Sequence, residues 1–321
     1  MPPRLVIVTL VFLIAPGQAP ATRAGPDGDR AAPELLSPLG RPLLARPPGA
    51  DLRKLEADLE QARARLAEKP EDPERIVWVG RRLGYLWRMN EAVVVFSEGI
   101  AAHRDYAPLY RHRGHRYISL RRFDDAIADL QTAAKLIAGK ADEVEPDGAP
   151  NARNIPLTTL AFNVWYHLGV AHFLKADFAR ADEAFRETFK YTRGLDDNVA
   201  VVTDWRYMCL CRLGRKDDAA ALLVAITPDM DIIENHAYHR RLLMYKGALS
   251  PAELLNPAGA SDLDLATMGF GVANWRLCNG DAGQATLILQ KVVDGPYWPA
   301  FGYIAAEADL ARGRRPSEPR P

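Results

Sequence analysis

The chain has 321 residues, 48% of them hydrophobic, enough to fill the interior of one long repeat domain or of two ordinary ones. Its 41 lysines and arginines match its 41 aspartates and glutamates, so no global charge draws it to nucleic acid or to an anionic membrane. Three cysteines, Cys209, Cys211 and Cys278, are too few and too unevenly spaced for a disulfide framework and read as core-lining thiols.

The N-terminus has the layout of an export signal. Arg4 precedes an apolar run from Leu5 to Ala15, and Ala19-Pro20-Ala21 offers a cleavage site of small residues. The run is too short to span a bilayer. Residues 1–21 are therefore expected to be a signal peptide, and the mature protein to be exported, periplasmic or extracellular, with no stable membrane anchor. Residues 22–50 are rich in proline and glycine, lack a helical period and read as a flexible linker. A helix is expected from Asp51 to Lys69, with Asp51 as N-cap, Leu52, Leu55, Leu59 and Leu66 on one side, and Pro70 as its stop. It would form the first cap of a helical array spanning residues 51–313, and residues 314–321 read as a disordered tail.

Within that array a period emerges. The interval from Gly80 to Ala92 recurs from Gly114 to Ala126 and again from Gly169 to Ala181. The alanine series continues through Ala219, Ala252 and Ala285. A glycine in a first helix and a small residue in a second let the two helices approach closely, so each step reads as one helix–turn–helix unit of roughly 34 residues. The step from Ala126 to Ala181 is much the longest. It holds one unit plus an insert at 138–160 that carries Pro146, Pro150 and Pro156 and the acids Asp142, Glu143, Glu145 and Asp147. Its prolines forbid a continuous helix, and a loop of this length inside a compact array is often functional.

The third unit meets the pattern W-x2-L-G…A-x3-F with Trp165, Leu168, Gly169, Ala181 and Phe185, and the second places Tyr110, Gly114, Tyr117, Phe123, Ala126, Leu130 and Ala133 in the corresponding positions. Here the chain resembles the tetratricopeptide-repeat (TPR) family. The resemblance implies an all-α fold, an α-solenoid of antiparallel helix pairs, and a non-catalytic scaffold that holds a protein or peptide partner in its concave groove. It weakens along the chain: Tyr207 replaces the glycine in the fourth unit, His236, His239 and Arg240 take apolar places in the fifth, and Ala273 replaces the glycine in the sixth. A last helix, from about Pro299 to Arg312, would cover the open end of the array.

No P-loop, H-E-x-x-H, G-x-S-x-G or CxxC pair occurs, so no catalytic residue, metal ligand or cofactor is assigned. In TPR proteins the first helix of each pair lines the groove. Applied to LYRHRGHRY (Leu109–Tyr117) and its neighbours, this puts Arg81, Arg111, His112, His115, Asn163, Tyr166, His167, Asp204 and Trp205 in a basic, aromatic-rimmed groove. Such a groove suits a carboxylate, a phosphate or an acidic peptide. The insert leaves the second unit and returns at the third, so its acids are tethered beside this face and are candidates for a lid. Alternatively, the His/Arg cluster of the second and third units serves a small-anion or metal-binding accessory subunit or enzyme, with His112, His115 and His167 near Asp204 as zinc ligands. RNA binding through Arg104, Arg111, Arg113, Arg116, Arg121 and Arg122 is disfavoured by export and zero net charge.

Overall fold

The computed structural model describes residues 32–314. The expected signal peptide, residues 22–31 of the expected linker and the tail beyond Arg314 lie outside the described residues. Among the described residues a hairpin of β1 (Leu35–Leu36) and β2 (Pro42–Leu43) comes first, followed by fourteen helices. Helix α1 (Leu52–Glu68) begins where expected, with the Asp51 carboxylate accepting from the Lys54 amide. Six helix pairs follow: α2 (Pro73–Tyr85) with α3 (Met89–Ala102), α4 (Ala107–Ser119) with α5 (Phe123–Ile137), and α6 (Leu160–Leu174) with α7 (Phe178–Phe189). The last three are α8 (Asp196–Arg212) with α9 (Lys216–Leu222), α10 (His236–Tyr245) with α11 (Pro251–Leu255), and α12 (Asp262–Cys278) with α13 (Ala282–Asp294). Helix α14 (Phe301–Arg314) ends the array. The fold is an all-α, TPR-like solenoid.

The seams explain the period. Gly80 faces the ring of Phe96, Gly114 faces Leu130 and Gly169 faces the ring of Phe185; a Cβ at Gly114 or Gly169 would stand only 2.8 or 2.7 Å from these side chains. Ala92, Ala126, Ala181, Ala219 and Ala285 are buried on the facing helices. Each inter-helix turn also needs one residue in the left-handed region: Trp87, Arg121, Ala176, Gly214, Gly247 and Gly280, each at the same distance before its alanine. The fifth unit keeps this turn but departs from its expected packing. Its second helix, α11, is a short one, so Ala252 is exposed and Leu254 fills the seam.

The linker reading is corrected for residues 34–46. The prolines and glycine of ELLSPLGRPLL make a tight hairpin, and its leucines give it something to bury: Leu43 joins the core. Asn90 donates from both its amides to Glu34, Arg41 donates to the Val293 carbonyl and pairs with Asp294, and Trp298 Nε1 donates to the Leu44 carbonyl at 2.8 Å. The terminal helix also does more than cap. It packs on α12 and α13, with Gly302 against the Ala266 carbonyl, and it reaches back to α6. Two of the left-handed turn residues hold this end of the chain: Trp87 meets Tyr297 and Trp298 edge-on at 5.0 and 5.4 Å, and Arg121 forms a buried ion pair with Glu307 at 2.7 Å.

A left-handed non-glycine residue costs roughly 1–2 kcal/mol, part of which a glycine would recover after its greater unfolded-state entropy is counted. Ala176 packs against nothing in the core, so Ala176→Gly is expected to stabilise the fold by about 0.5 kcal/mol or more. Arg121→Gly makes the same backbone change but strands Glu307, and should destabilise by about 2–4 kcal/mol. Urea unfolding of both variants checks this; a matching shift would mean that Arg121 holds nothing either.

Candidate functional site

Helix α4 places its arginines and histidines between α2 and α6, and the insert returns across the same face. Glu143 to Glu145 run antiparallel to Thr158 to Leu160: the Glu145 amide donates to the Thr158 carbonyl at 3.0 Å and the Leu160 amide to the Glu143 carbonyl at 2.8 Å. Asp142 accepts from the Ala161 amide at the start of α6. This aims the Glu145 carboxylate inward. It lies 2.9 Å from the Arg111 guanidinium and 3.6 Å from His112 Nε2, and accepts from Asn163 Nδ2 at 3.1 Å. Beyond it, Arg81 donates to the Pro146 carbonyl at 2.7 Å, Arg82 donates to the Gly148 carbonyl at 3.1 Å, and Gly148 lies against the Tyr85 ring.

Below the insert the charge is lopsided. Arg111 is buried, with its Nε unpartnered. Arg116, further along α4 and packed against Gly84, donates to His115 Nδ1 at 2.8 Å and otherwise faces Met89 Sδ at 3.6 Å. No ion pair ties Arg116 to a carboxylate among the described residues. Burial, and then the neighbouring Arg111, bring Arg116 down to about 10. Burial also holds His112, His115 and His167 well below the usual histidine range, helped by Arg111 and Arg116, so all three are neutral. His167 Nδ1 donates to the Asn163 carbonyl at 2.6 Å, its ring stands 4.3 Å from that of His115, and Phe301 of α14 closes over both.

Six of the expected groove residues therefore meet: Arg81, Arg111, His112, His115, Asn163 and His167. Three belong elsewhere. Trp205 is fully buried, stacked on Phe185 at 5.8 Å and edge-on to Phe173 at 5.0 Å, and donates to the Tyr166 hydroxyl at 3.0 Å. Tyr166 is thus turned into the core, where its hydroxyl also meets that of Tyr238. Asp204 pairs at 2.9 Å with Arg241, both of them fully buried. Burial lifts the Asp204 carboxyl to about 7 against the pull of Arg241. The physical reason is that α8 packs against both α10 and α12, so the face that would have lined a groove is interior. This also separates Asp204 from the histidines, and among the described residues no three His, Cys, Asp or Glu side chains are placed to hold a metal ion. Glu145, Arg116, Tyr85 and Phe301 join the site without having been singled out as lining it. The acids of the insert were the one legible signal for Glu145.

No protein-family model matches the chain, and no curated protein does. Solved structures with similar helical arrays include YrrB, described as a TPR protein with an unusual peptide-binding site, at 13% identity over 78% of this chain and 99% of that one, TM-score 0.42. A tetratricopeptide repeat protein from Parabacteroides merdae is 12% identical over 82% of this chain and 94% of its own, TM-score 0.46. BtubC from P. vanneervenii is 15% identical over 84% and 93%, TM-score 0.44.

The depressed histidines give a signed pH dependence. Below the ordinary value of about 6.5, the unfolded chain binds a proton at residue 167 that the folded chain refuses, so this site costs stability as pH falls, by about 1.4 kcal/mol per unit. His167→Gln removes the titration. The stability difference between parent and variant should shift towards the variant by about 1–1.5 kcal/mol between pH 7.5 and 5.5, measured by urea unfolding. A difference independent of pH would mean that His167 takes up its proton as readily in the fold as in the unfolded chain.

Proposed function

We propose that the mature chain is an exported, non-catalytic scaffold that binds a protein partner through an acidic peptide segment laid across α2, α4 and α6. The observation that carries this reading is Glu145: an extended acidic stretch of the chain's own insert lies on this face, its carboxylate between Arg111 and Asn163 and its next carbonyls on Arg81 and Arg82. Arg111 has one close carboxylate and Arg116, near it, has none among the described residues, so the face favours anions over cations. The TPR-like helix pairs support a binding role, and the apolar run after Arg4 supports export. No described helix is long and apolar enough to cross a membrane.

Hexaglutamate labelled with a fluorophore should bind the chain lacking residues 1–21, and hexalysine should not. Raising NaCl from about 0.05 to about 0.5 M should weaken binding, because exposed charges are screened beyond about a Debye length. Arg81→Ala should weaken it about fivefold, the equivalent of about 1 kcal/mol. Hexalysine binding as tightly, or indifference to both salt and Arg81, would overturn the reading. Separately, mass spectrometry of the protein taken from its own cell should find a mature chain beginning near residue 22; recovery of peptides spanning Leu5 to Ala15 would count against export.

A further inference from the structure

We propose that the insert is a displaceable occupant of its own binding face: Glu145 holds the place of a partner's carboxylate, and an acidic partner gains the site by exchanging with it. This rests on the peptide-binding reading above and adds its regulation.

The contacts that seat the insert are of a kind that another peptide can reproduce. They are one carboxylate, on Arg111 and Asn163, two backbone carbonyls, Pro146 on Arg81 and Gly148 on Arg82, and one amide, that of Glu145 on the Thr158 carbonyl. Every peptide carries such carbonyls, so an acidic side chain followed by extended backbone meets the same donors. Little else holds residues 144–149 down. Val144, their one large apolar side chain, is 48% exposed and lies outside the core. Separate anchors lie to either side: Asp142 on the Ala161 amide, and past the segment Arg153 paired with Asp231 and Leu157 buried. The middle of the insert can therefore leave while both its ends stay seated.

The charge beneath decides how it leaves. With Glu145 gone, Arg111 would be buried beside Arg116 with no carboxylate close to either, an arrangement strongly disfavoured in a low-dielectric interior. Departure without a replacement anion is thus rare, and exchange for another carboxylate is favoured. Because the insert is tethered at both ends, Glu145 competes at an effective concentration in the millimolar range. The apparent affinity for a partner is reduced by the fraction of molecules in which the face is free.

The test uses two variants of the chain lacking residues 1–21. In one, residues 144–149 are replaced by Gly/Ser linker, which keeps the Asp142 cap and the Glu143 carbonyl; the other is Glu145→Gln. The probe is a labelled synthetic peptide of residues 141–150, ADEVEPDGAP, followed by anisotropy. It should bind the linker variant and bind the parent at least about tenfold more weakly. It should also lose about tenfold when its own Glu145 is made Gln, since charge-assisted hydrogen bonds are about twice as strong as neutral ones. Glu145→Gln, which preserves the shape of the insert, should likewise bind the peptide more tightly than the parent does. Equal binding to parent and both variants, or equal binding by the Glu and Gln peptides, would overturn the proposal. Hexaglutamate separates it from the reading beneath it. If hexaglutamate binds parent and linker variant equally, the scaffold reading stands and the exchange fails. If only ADEVEPDGAP binds the linker variant, the insert is a self-ligand and the general acidic partner is wrong. If neither peptide binds any form, both fall.

Discussion

The contact on which the structure depends is the one between paired helices, where there is no room for a Cβ. Gly80 on Phe96, Gly114 on Leu130 and Gly169 on Phe185 repeat one geometry at one fixed spacing along the chain. Because close packing of this kind tolerates little added volume, it fixes how each helix is rotated about its axis. The rotation of α4 then follows. With Gly114 turned to Leu130, residues Arg111, His112 and His115 fall to one flank of that seam, between α2 and α6. The charged face follows from the packing contact.

Burying charge on that side has consequences throughout the chain. Arg111 takes Glu145 from the insert, Arg121 takes Glu307 from the last helix, and Arg241 takes Asp204 across from α8. A buried ion pair adds little net stability against well-packed apolar residues, but losing one partner is costly. Each pair therefore acts more as a constraint on which segments must meet than as a source of stability. The pair of Arg121 with Glu307 spans most of the array. The strained turn residues Trp87 and Arg121 belong to the same system: their left-handed backbones carry side chains that meet the C-terminal segment, whereas the last three turns use glycine, which has no side chain to offer.

The acidic stretch of the insert laid on the inner side of the array reconciles two facts about the molecule. Its net charge is zero, yet its inner side concentrates arginines around three neutral histidines. The compensating carboxylate sits on a segment held in its middle by polar contacts alone and fastened again on either side. The same few contacts thus both seat the insert and compensate the arginines beneath it.

The sequence by itself determined the architecture. Glycine and alanine at fixed separations, with an alanine recurring once per unit from Ala92 to Ala285, located all six helix pairs, and the prolines of the insert marked where the array is interrupted. These signals are local, because the packing they report joins helices adjacent in the chain. The same locality made one cluster of side chains legible: Arg81, Arg111, His112, His115, Asn163 and His167, which come together, lie on consecutive units. The tertiary structure alone decided the rest. Asp204 and Trp205 occupy equivalent places in the repeat, but α8 is covered by α10 and α12, so they became core. The leucines of a proline-rich segment became a docked hairpin because Trp298 and Asp294, near the other end of the array, come within reach. Whether a polar side chain faces solvent, a ligand or a buried partner depends on what packs over it. In this chain the covering segments, the insert excepted, come from distant parts of the sequence, where no periodicity records them.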